Sequence, residues 1–381
     1  MLLKRLAGVL PPHLARYIPV LEEHNVKTTE NLLFTSRQHL DVLLTTIPKA
    51  VLDELVMWVV RLTAPNALSG DEALDQLGTP DEDARWEGWG VNGLDSLFGW
   101  DGVGVMEISG ARRVGKSLLA LQAAMRIMVA HPQVTCQWVD TEGSFSPARA
   151  RKVVEGLHVQ DVDAVLCRLV IIPCFQVEPD LFDIVGTIKA GLEGAEPADG
   201  SGLRTAVLVI DPIVNLFRDT LTSTTAQGHA AMVTVMEEIA EMTYEHHLLT
   251  IIVNTSSSSL PGNPLSSFSA TTTKPSLGAA FTYHADISLF VQETGRVFGM
   301  VDQTERERTR TEPGMRALVE VLKSRVSPAG RWAVFETKDG VGLLDVVPPE
   351  TEDERTLRLS AGMPVGPVRP VHGPLAETVV P

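Results

Sequence analysis

Gly110-Ala111-Arg112-Arg113-Val114-Gly115-Lys116-Ser117 decides how the rest of this chain is read. The stretch fits G-x-x-x-x-G-K-[ST], and its flanks matter as much as its letters. Apolar Val103 to Ile108 leads in with the spacing of a strand, and Leu118 to Ala130 follows, rich in Leu, Ala and Met, as a helix would be. That strand–loop–helix context separates a phosphate site from a turn with a chance lysine. Gly110 and Gly115 let the backbone turn sharply and present N–H groups to phosphate oxygens. The helix start adds its own free N–H groups and the positive end of its dipole. Lys116 suits the β- and γ-phosphates, and the Ser117 hydroxyl suits Mg²⁺. The candidate cradle therefore runs through Gly110, Ala111, Arg112, Arg113, Val114, Gly115, Lys116, Ser117 and Leu118, with ATP and Mg²⁺ as expected ligands.

Working outward, 381 residues allow two or three domains and a large core. A 44% hydrophobic content and a mean hydropathy of +0.09 describe a soluble globular chain, and no apolar run is long enough to span a membrane. The formal charge is −16, which argues against a strong autonomous nucleic-acid binder but leaves room for a local basic groove. Cys136 and Cys167 sit in apolar, strand-like runs and Cys174 closely follows another. Their spacing fits no metal motif, and an odd count fits no complete disulfide set, so buried free thiols in a reducing compartment are expected. Pro11-Pro12 cuts short the apolar N-terminus, unlike a signal peptide.

The pattern divides the chain into four parts. Residues 1–63 read as a small helical bundle. Leu14, Ile18 and Leu21 share a face, Thr28-Thr29-Glu30 marks a new helix start, and Pro48 opens a last helix with Val51, Leu55, Val59 and Leu62. The hairpin Thr46-Ile47-Pro48-Lys49 lacks the Gly usual in a helix-hairpin-helix nucleic-acid module, so protein docking and DNA binding both stand as roles. Residues 64–87 read as an acidic flexible linker, in which seven acidic residues face only Arg85. Residues 88–347 alternate strand-like and helix-like segments, the rhythm of an α/β core with a mainly parallel sheet. Expected strands include Leu166 to Ile172, Thr205 to Ile210 and Leu248 to Val253. Ile287 to Val291, Leu318 to Leu322 and Trp332 to Phe335 are expected to form an antiparallel extension. Residues 348–381 read as a disordered tail.

Three further elements carry chemistry. Ala206 to Ile210 is an apolar run ending in Asp211, the acid that holds Mg²⁺ through water when it ends a strand beside the phosphate-loop strand. Trp138-Val139-Asp140-Thr141-Glu142-Gly143 ends the strand after the loop helix, at the carboxyl edge where ligands bind. By spacing, Glu142 is either the group that orients an attacking water or part of an acidic turn capping the next helix. Val253-Asn254-Thr255 is likewise either a γ-phosphate contact or a strand-end cap. After it, Ser256 to Tyr283 reads as a long Ser- and Thr-rich loop with Lys274 its only basic residue, a length that is usually functional or disordered. Arg306, Arg308, Arg310 and Arg316 alternate with Glu305, Glu307 and Glu312, as on a solvated loop.

Taken together these motifs resemble the RecA-like recombinases, and among them the eukaryotic recombinase paralogues of homologous recombination, most closely the D-type group. The likeness rests on Gly93-Leu94-Asp95-Ser96-Leu97, Met106-Glu107-Ile108 and Arg113. It rests most specifically on Asp140-Thr-Glu-Gly-Ser-Phe-Ser-Pro-Ala-Arg149, similar to a D-T-E-G-x-F-x-x-x-R segment of the family. Lys274-Pro275-Ser-Leu-Gly278, His284-Ala-Asp286 and Val321-Leu-Lys323-Ser324-Arg325 extend it nearly to the tail. The resemblance implies a RecA-like P-loop NTPase core with a small N-terminal helical domain, in a nuclear protein. It implies that Lys116 and Ser117 hold phosphate and Mg²⁺, that Asp211 joins the Mg²⁺ shell, and that Glu142 orients the attacking water.

Several residues depart from the family. Thr255 replaces the Gln usual in filament-forming recombinases, Pro212 replaces the Ser after the strand-end Asp, and the linker has no Phe for the Phe-x-x-Ala self-assembly motif. These departures point to a paralogue inside a hetero-oligomer with other paralogues and the main recombinase. It would assist assembly on single-stranded DNA with at most weak DNA-dependent ATP hydrolysis. A structural adaptor with a silent ATP site is the alternative.

Overall fold

The computed structural model describes residues 2–63, 86–193, 202–218, 226–298 and 314–346. The expected linker at 64–87, except its last two residues, lies outside the described residues, as do the tail from Pro348 and Arg306, Arg308 and Arg310. The chain divides into two compact units, Met1–Thr79 and Pro80–Pro381.

In the first unit a 3₁₀ turn precedes α1 (Pro12–Ala15), α2 (Ile18–Glu23), α3 (Thr29–Phe34), α4 (Arg37–Leu43) and α5 (Lys49–Thr63). Most of these helices are too short to persist alone, so the unit depends on its shared core. Leu14, Leu21, Leu32, Leu52 and Leu55 are fully buried together. Thr28 starts α3 with a reciprocal cap: its Oγ1 accepts from the Asn31 amide at 3.1 Å, and its own amide donates to Asn31 Oδ1 at 3.2 Å.

The second unit is built on a nine-stranded sheet. In chain order it contains α6 (Asn92–Asp95), β1 (Gly104–Gly110), α7 (Lys116–Ala130), β2 (Val134–Asp140), α8 (Pro147–Gly156), α9 (Val162–Leu166), β3 (Leu169–Pro173) and α10 (Phe182–Glu193). Then follow β4 (Arg204–Asp211), α11 (Val214–Phe217), α12 (Ala226–Glu245), β5 (Leu249–Val253), β6 (Ser256–Ser258), β7 (Thr273–Pro275), α13 (Gly278–His284) and β8 (Ile287–Glu293). The last elements are α14 (Thr294–Phe298), β9 (Arg316–Ser324), β10 (Trp332–Lys338) and β11 (Gly342–Asp345). The strand order is β11-β10-β9-β8-β1-β5-β4-β2-β3. β3, β2, β4, β5, β1 and β8 run parallel, and β9 to β11 are antiparallel. Central β1 and β5 are buried along their whole length, as parallel strands covered on both faces must be. One face packs on α7 and α8 and the other on α10 and α12.

The structure corrects four expectations. β5 lies between β1 and β4, so the Asp211 strand is one place removed from the phosphate-loop strand. Ile287–Glu293 joins β1 in parallel, because α13 carries the chain back across the sheet before it. Leu166 to Ile172 is not one strand. Asp161 caps α9 through the Ala164 amide at 2.9 Å, and the strand begins only at Leu169. Cys167 is consequently exposed at that helix end, whereas Cys136 and Cys174 are buried. Last, residues 256–283 are organised, as a β6–β7 hairpin followed by α13.

The family-like Gly93–Leu97 stretch has a structural role. Asp95 accepts from the amides of Trp89, Gly90 and Val91 at 2.6, 3.0 and 3.1 Å. Asp345 on β11 takes the amides of Asn92 and Gly93 at 3.1 and 3.0 Å. The start of the core is thus tied to its last strand.

Candidate functional site

The phosphate loop leaves β1 at the carboxyl edge of the sheet. Gly110 sits at φ +149, and a Cβ there would lie 2.2 Å from the Val291 carbonyl oxygen on neighbouring β8. Gly115 caps α7 at φ +93, where a Cβ would meet Met315 and the Phe335 ring at 3.2 and 3.3 Å. Both positions exclude a side chain, by close approach and by backbone angle. Val114 and Leu118 point into the apolar core, so only their backbone faces the loop's concavity. Arg112 is largely exposed, and Arg113 holds a left-handed conformation at φ +65.

Lys116 is nearly buried, and its Nζ donates across the loop to the Ala111 carbonyl at 2.6 Å. Burial lowers its pKa to about 8, against the opposing pull of Asp211 and Glu142. Ser117 hydrogen-bonds the Asp211 carboxyl. Burial pushes Asp211 up to about 6; Ser117 and Lys116 resist that rise, and neighbouring Asp140 and Glu142 add to it. Lys116, Ser117 and Asp211 therefore meet, although their strands are not neighbours: α7 packs across β1, β5 and β4. Among the described residues there is no cluster of three or more His, Cys, Asp or Glu placed to hold a metal. A hydroxyl beside a crowded carboxyl nevertheless fits Mg²⁺, which takes one or two protein oxygens and completes its shell with phosphate and water.

Asp140 and Asp211 end adjacent strands in register. Asp140 does not face outward. Its carboxyl gathers the amides of Glu142, Ser144 and Phe145 at 3.1, 3.2 and 2.8 Å, and so builds the turn that carries Glu142. The Thr141 hydroxyl donates to the Pro212 carbonyl at 2.7 Å, tying the β2 and β4 ends together. Glu142 itself is exposed. Asn215 Nδ2 donates to its Oε1 at 2.8 Å, Arg218 donates to Asn215 Oδ1 at 2.7 Å, and Arg112 stands 4.0 Å away. Glu142 is thus held over the loop by a chain from α11. Sequence reasoning missed Asn215, whose only signal was its place just past Asp211. Between Ser117, Asp211, Trp138, Phe145 and Arg149 lies a cavity of about 70 Å³.

Asn254 is fully buried. Its Nδ2 donates to Glu107 Oε1 at 2.8 Å and to the Ser276 carbonyl at 2.9 Å, and its Oδ1 takes the Thr255 amide at 2.8 Å. The Thr255 hydroxyl meets Ser276 Oγ at 3.0 Å. Asn254 is thus committed to Glu107 and Ser276, and the Thr255 hydroxyl to Ser276. The strand-end reading of Asn254–Thr255 fits this geometry. Glu107, on β1 itself, also accepts from Ser288 Oγ at 2.7 Å, and its complete burial raises its pKa. Arg316 is paired with Glu336 at 2.9 Å and mostly buried, so it does not belong to a solvated basic loop.

A family model for Rad51 matches residues 89–303, more than half of the chain, from near the start of the second unit through β8 and short of β9 to β11. Among solved structures, the crystal structure of the RadB recombinase superposes with a TM-score of 0.50 at 18% identity, over 68% of this chain and 99% of that one. At that identity the likeness speaks for the fold. No curated protein sequence matches.

Proposed function

The chain belongs to the Rad51 family of RecA-like recombinases, and on that premise we propose that it is an ATP-binding paralogue working in DNA recombination inside a hetero-oligomer. The family binds ATP with Mg²⁺ and acts in oligomers on DNA. Here the amides of the phosphate loop, Lys116 and the start of α7 would hold the phosphates, and Ser117 and Asp211 would hold Mg²⁺. The metal, when bound, screens phosphate charge that the surrounding carboxyls would otherwise repel. The observation that carries this reading is the convergence of Lys116, Ser117 and Asp211 at one strand-edge site.

The finer parts of the reading rest on departures from the family. Thr255 is turned into a hydrogen bond with Ser276, and Asn254 is committed to Glu107, so a nucleotide's last phosphate gains no direct contact from the β5 end. That supports a subunit that takes its place among other paralogues and the main recombinase and helps assembly on single-stranded DNA. We place it in the nucleus on the same reading, nearest the D-type group. Adaptor behaviour with a silent site has one specific support: Glu142 is engaged by Asn215 rather than free.

ATP turnover separates the two. If the chain hydrolyses ATP, single-stranded DNA and co-purified partner subunits raise the rate and Glu142→Gln abolishes it; the general-base share is on the order of 10²–10⁴. ATP binding with no turnover under any of these conditions selects the adaptor. Turnover that Glu142→Gln leaves unchanged removes Glu142 from its role.

A further inference from the structure

Glu142 is exposed and yet fixed at its tip. With 39% of its side chain exposed, a glutamate left alone would sample several rotamers. Asn215 holds it in one, donating Nδ2 to Oε1 at 2.8 Å. Arg218 decides which way the amide points. It donates to Asn215 Oδ1 at 2.7 Å, and a guanidinium has no acceptor, so only Nδ2 is left for the carboxylate. The mount beneath is firm. Ile213, Leu216 and Phe217 beside Asn215 are buried in the core, and the Ile213 amide donates to the Val253 carbonyl at 2.9 Å.

The direction of the hold matters. The cavity beside Ser117 and Asp211 is lined by Ser144, Phe145 and Ser146, which follow Glu142 in its turn, but not by Glu142. The Glu142 carboxyl is turned instead toward Asn215 and Arg112. A general base must reach within about 2.6–3.2 Å of the water it deprotonates. The Asn215 hydrogen bond occupies an acceptor that such a water would use.

We propose that Asn215, oriented by Arg218, is a brake on ATP hydrolysis: it parks the Glu142 carboxyl against α11, and turnover requires that hydrogen bond to break. The inference rests on the nucleotide reading above and says how that site is regulated. In the step it controls, Glu142 takes a proton from water as the water oxygen bonds to the γ-phosphorus. The bond from that phosphorus to the β–γ bridging oxygen breaks, giving ADP and inorganic phosphate, and the proton passes to solvent. Asn215 is a positioning residue and acts on this step only through Glu142.

Steady-state ATP turnover and Mg²⁺–ATP binding of the full-length chain test it. Asn215→Ala should raise kcat at least about tenfold over wild type, the scale of one hydrogen bond to a charged group, with KM for ATP unchanged. Asn215→Asp sets a second carboxylate against Glu142 and should raise kcat as well. Arg218→Ala, which frees the amide to turn, should give a smaller rise. Adding Glu142→Gln to Asn215→Ala should remove the gain. Asn215 variants that bind Mg²⁺–ATP but turn it over no faster than wild type overturn the brake, and so does a gain that survives Glu142→Gln. A wild-type chain that binds no Mg²⁺–ATP removes the nucleotide reading itself, and the brake with it.

Discussion

At the scale of single residues, two positions on β1 set what the phosphate loop can be. Gly110 lies where a methyl group would meet the Val291 carbonyl at 2.2 Å. Gly110→Ala must move β8 or unwind the loop's entry, at a cost of about 3 kcal/mol, read from the denaturant midpoint. A midpoint equal to wild type would mean the loop has room that this geometry denies. Glu107 is the other. Burial raises its pKa above the ordinary 4.5, with Asn254, Ser288, Thr282 and the nearby Lys323 charge opposing the rise. A carboxyl whose folded pKa is raised contributes stability below its unfolded value, and that contribution is lost as pH climbs through the folded pKa. Glu107→Gln should therefore flatten the fall in stability above about pH 4.5 relative to wild type. Parallel pH–Tm curves for the two proteins would show that folding leaves the Glu107 pKa unshifted.

At the scale of elements, Arg168 does work that no motif announces. Its guanidinium donates to the carbonyls of Met128, His131 and Val134 at 2.6, 3.0 and 2.7 Å, closing the end of α7 and the start of β2. The Met128 carbonyl is one a helix end leaves without an intrahelical partner, and a cation there also suits the dipole. Arg168→Ala should destabilise the core unit by about 3 kcal/mol without altering the denaturant slope. A loss under about 0.5 kcal/mol would mean water replaces it fully. The same scale shows what was legible. The G-x-x-x-x-G-K-[ST] stretch, its strand and its helix were readable because backbone angle and local hydrogen bonding fix them within a dozen residues. The β3 start was misread because Cys167 looks apolar; the Asp161 cap starts a helix that takes up Leu166, and the strand begins only at Leu169. The β11 strand was missed although Asp339 and Gly340, both at positive φ, gave the turn away.

At the scale of the whole molecule, strand order is the information a linear reading lacks. β5 enters between β1 and β4 through a crossover, and that insertion aims Asn254 at Glu107 instead of the loop. It likewise brings Asn215 to Glu142 and Ser266 to Glu320, pairs 73 and 54 residues apart. Residue type and spacing nominated Lys116, Ser117, Asp211 and Glu142; only the fold could say what holds each one. The resulting site is crowded with carboxyls around one buried lysine, and a Mg²⁺-bound nucleotide relieves that crowding. Equilibrium binding of Mg²⁺–ATP to wild type and Lys116→Ala tests this most directly. The account requires the substitution to weaken binding by at least about tenfold, or about 1.4 kcal/mol. Equal affinity of the two folded proteins would contradict it.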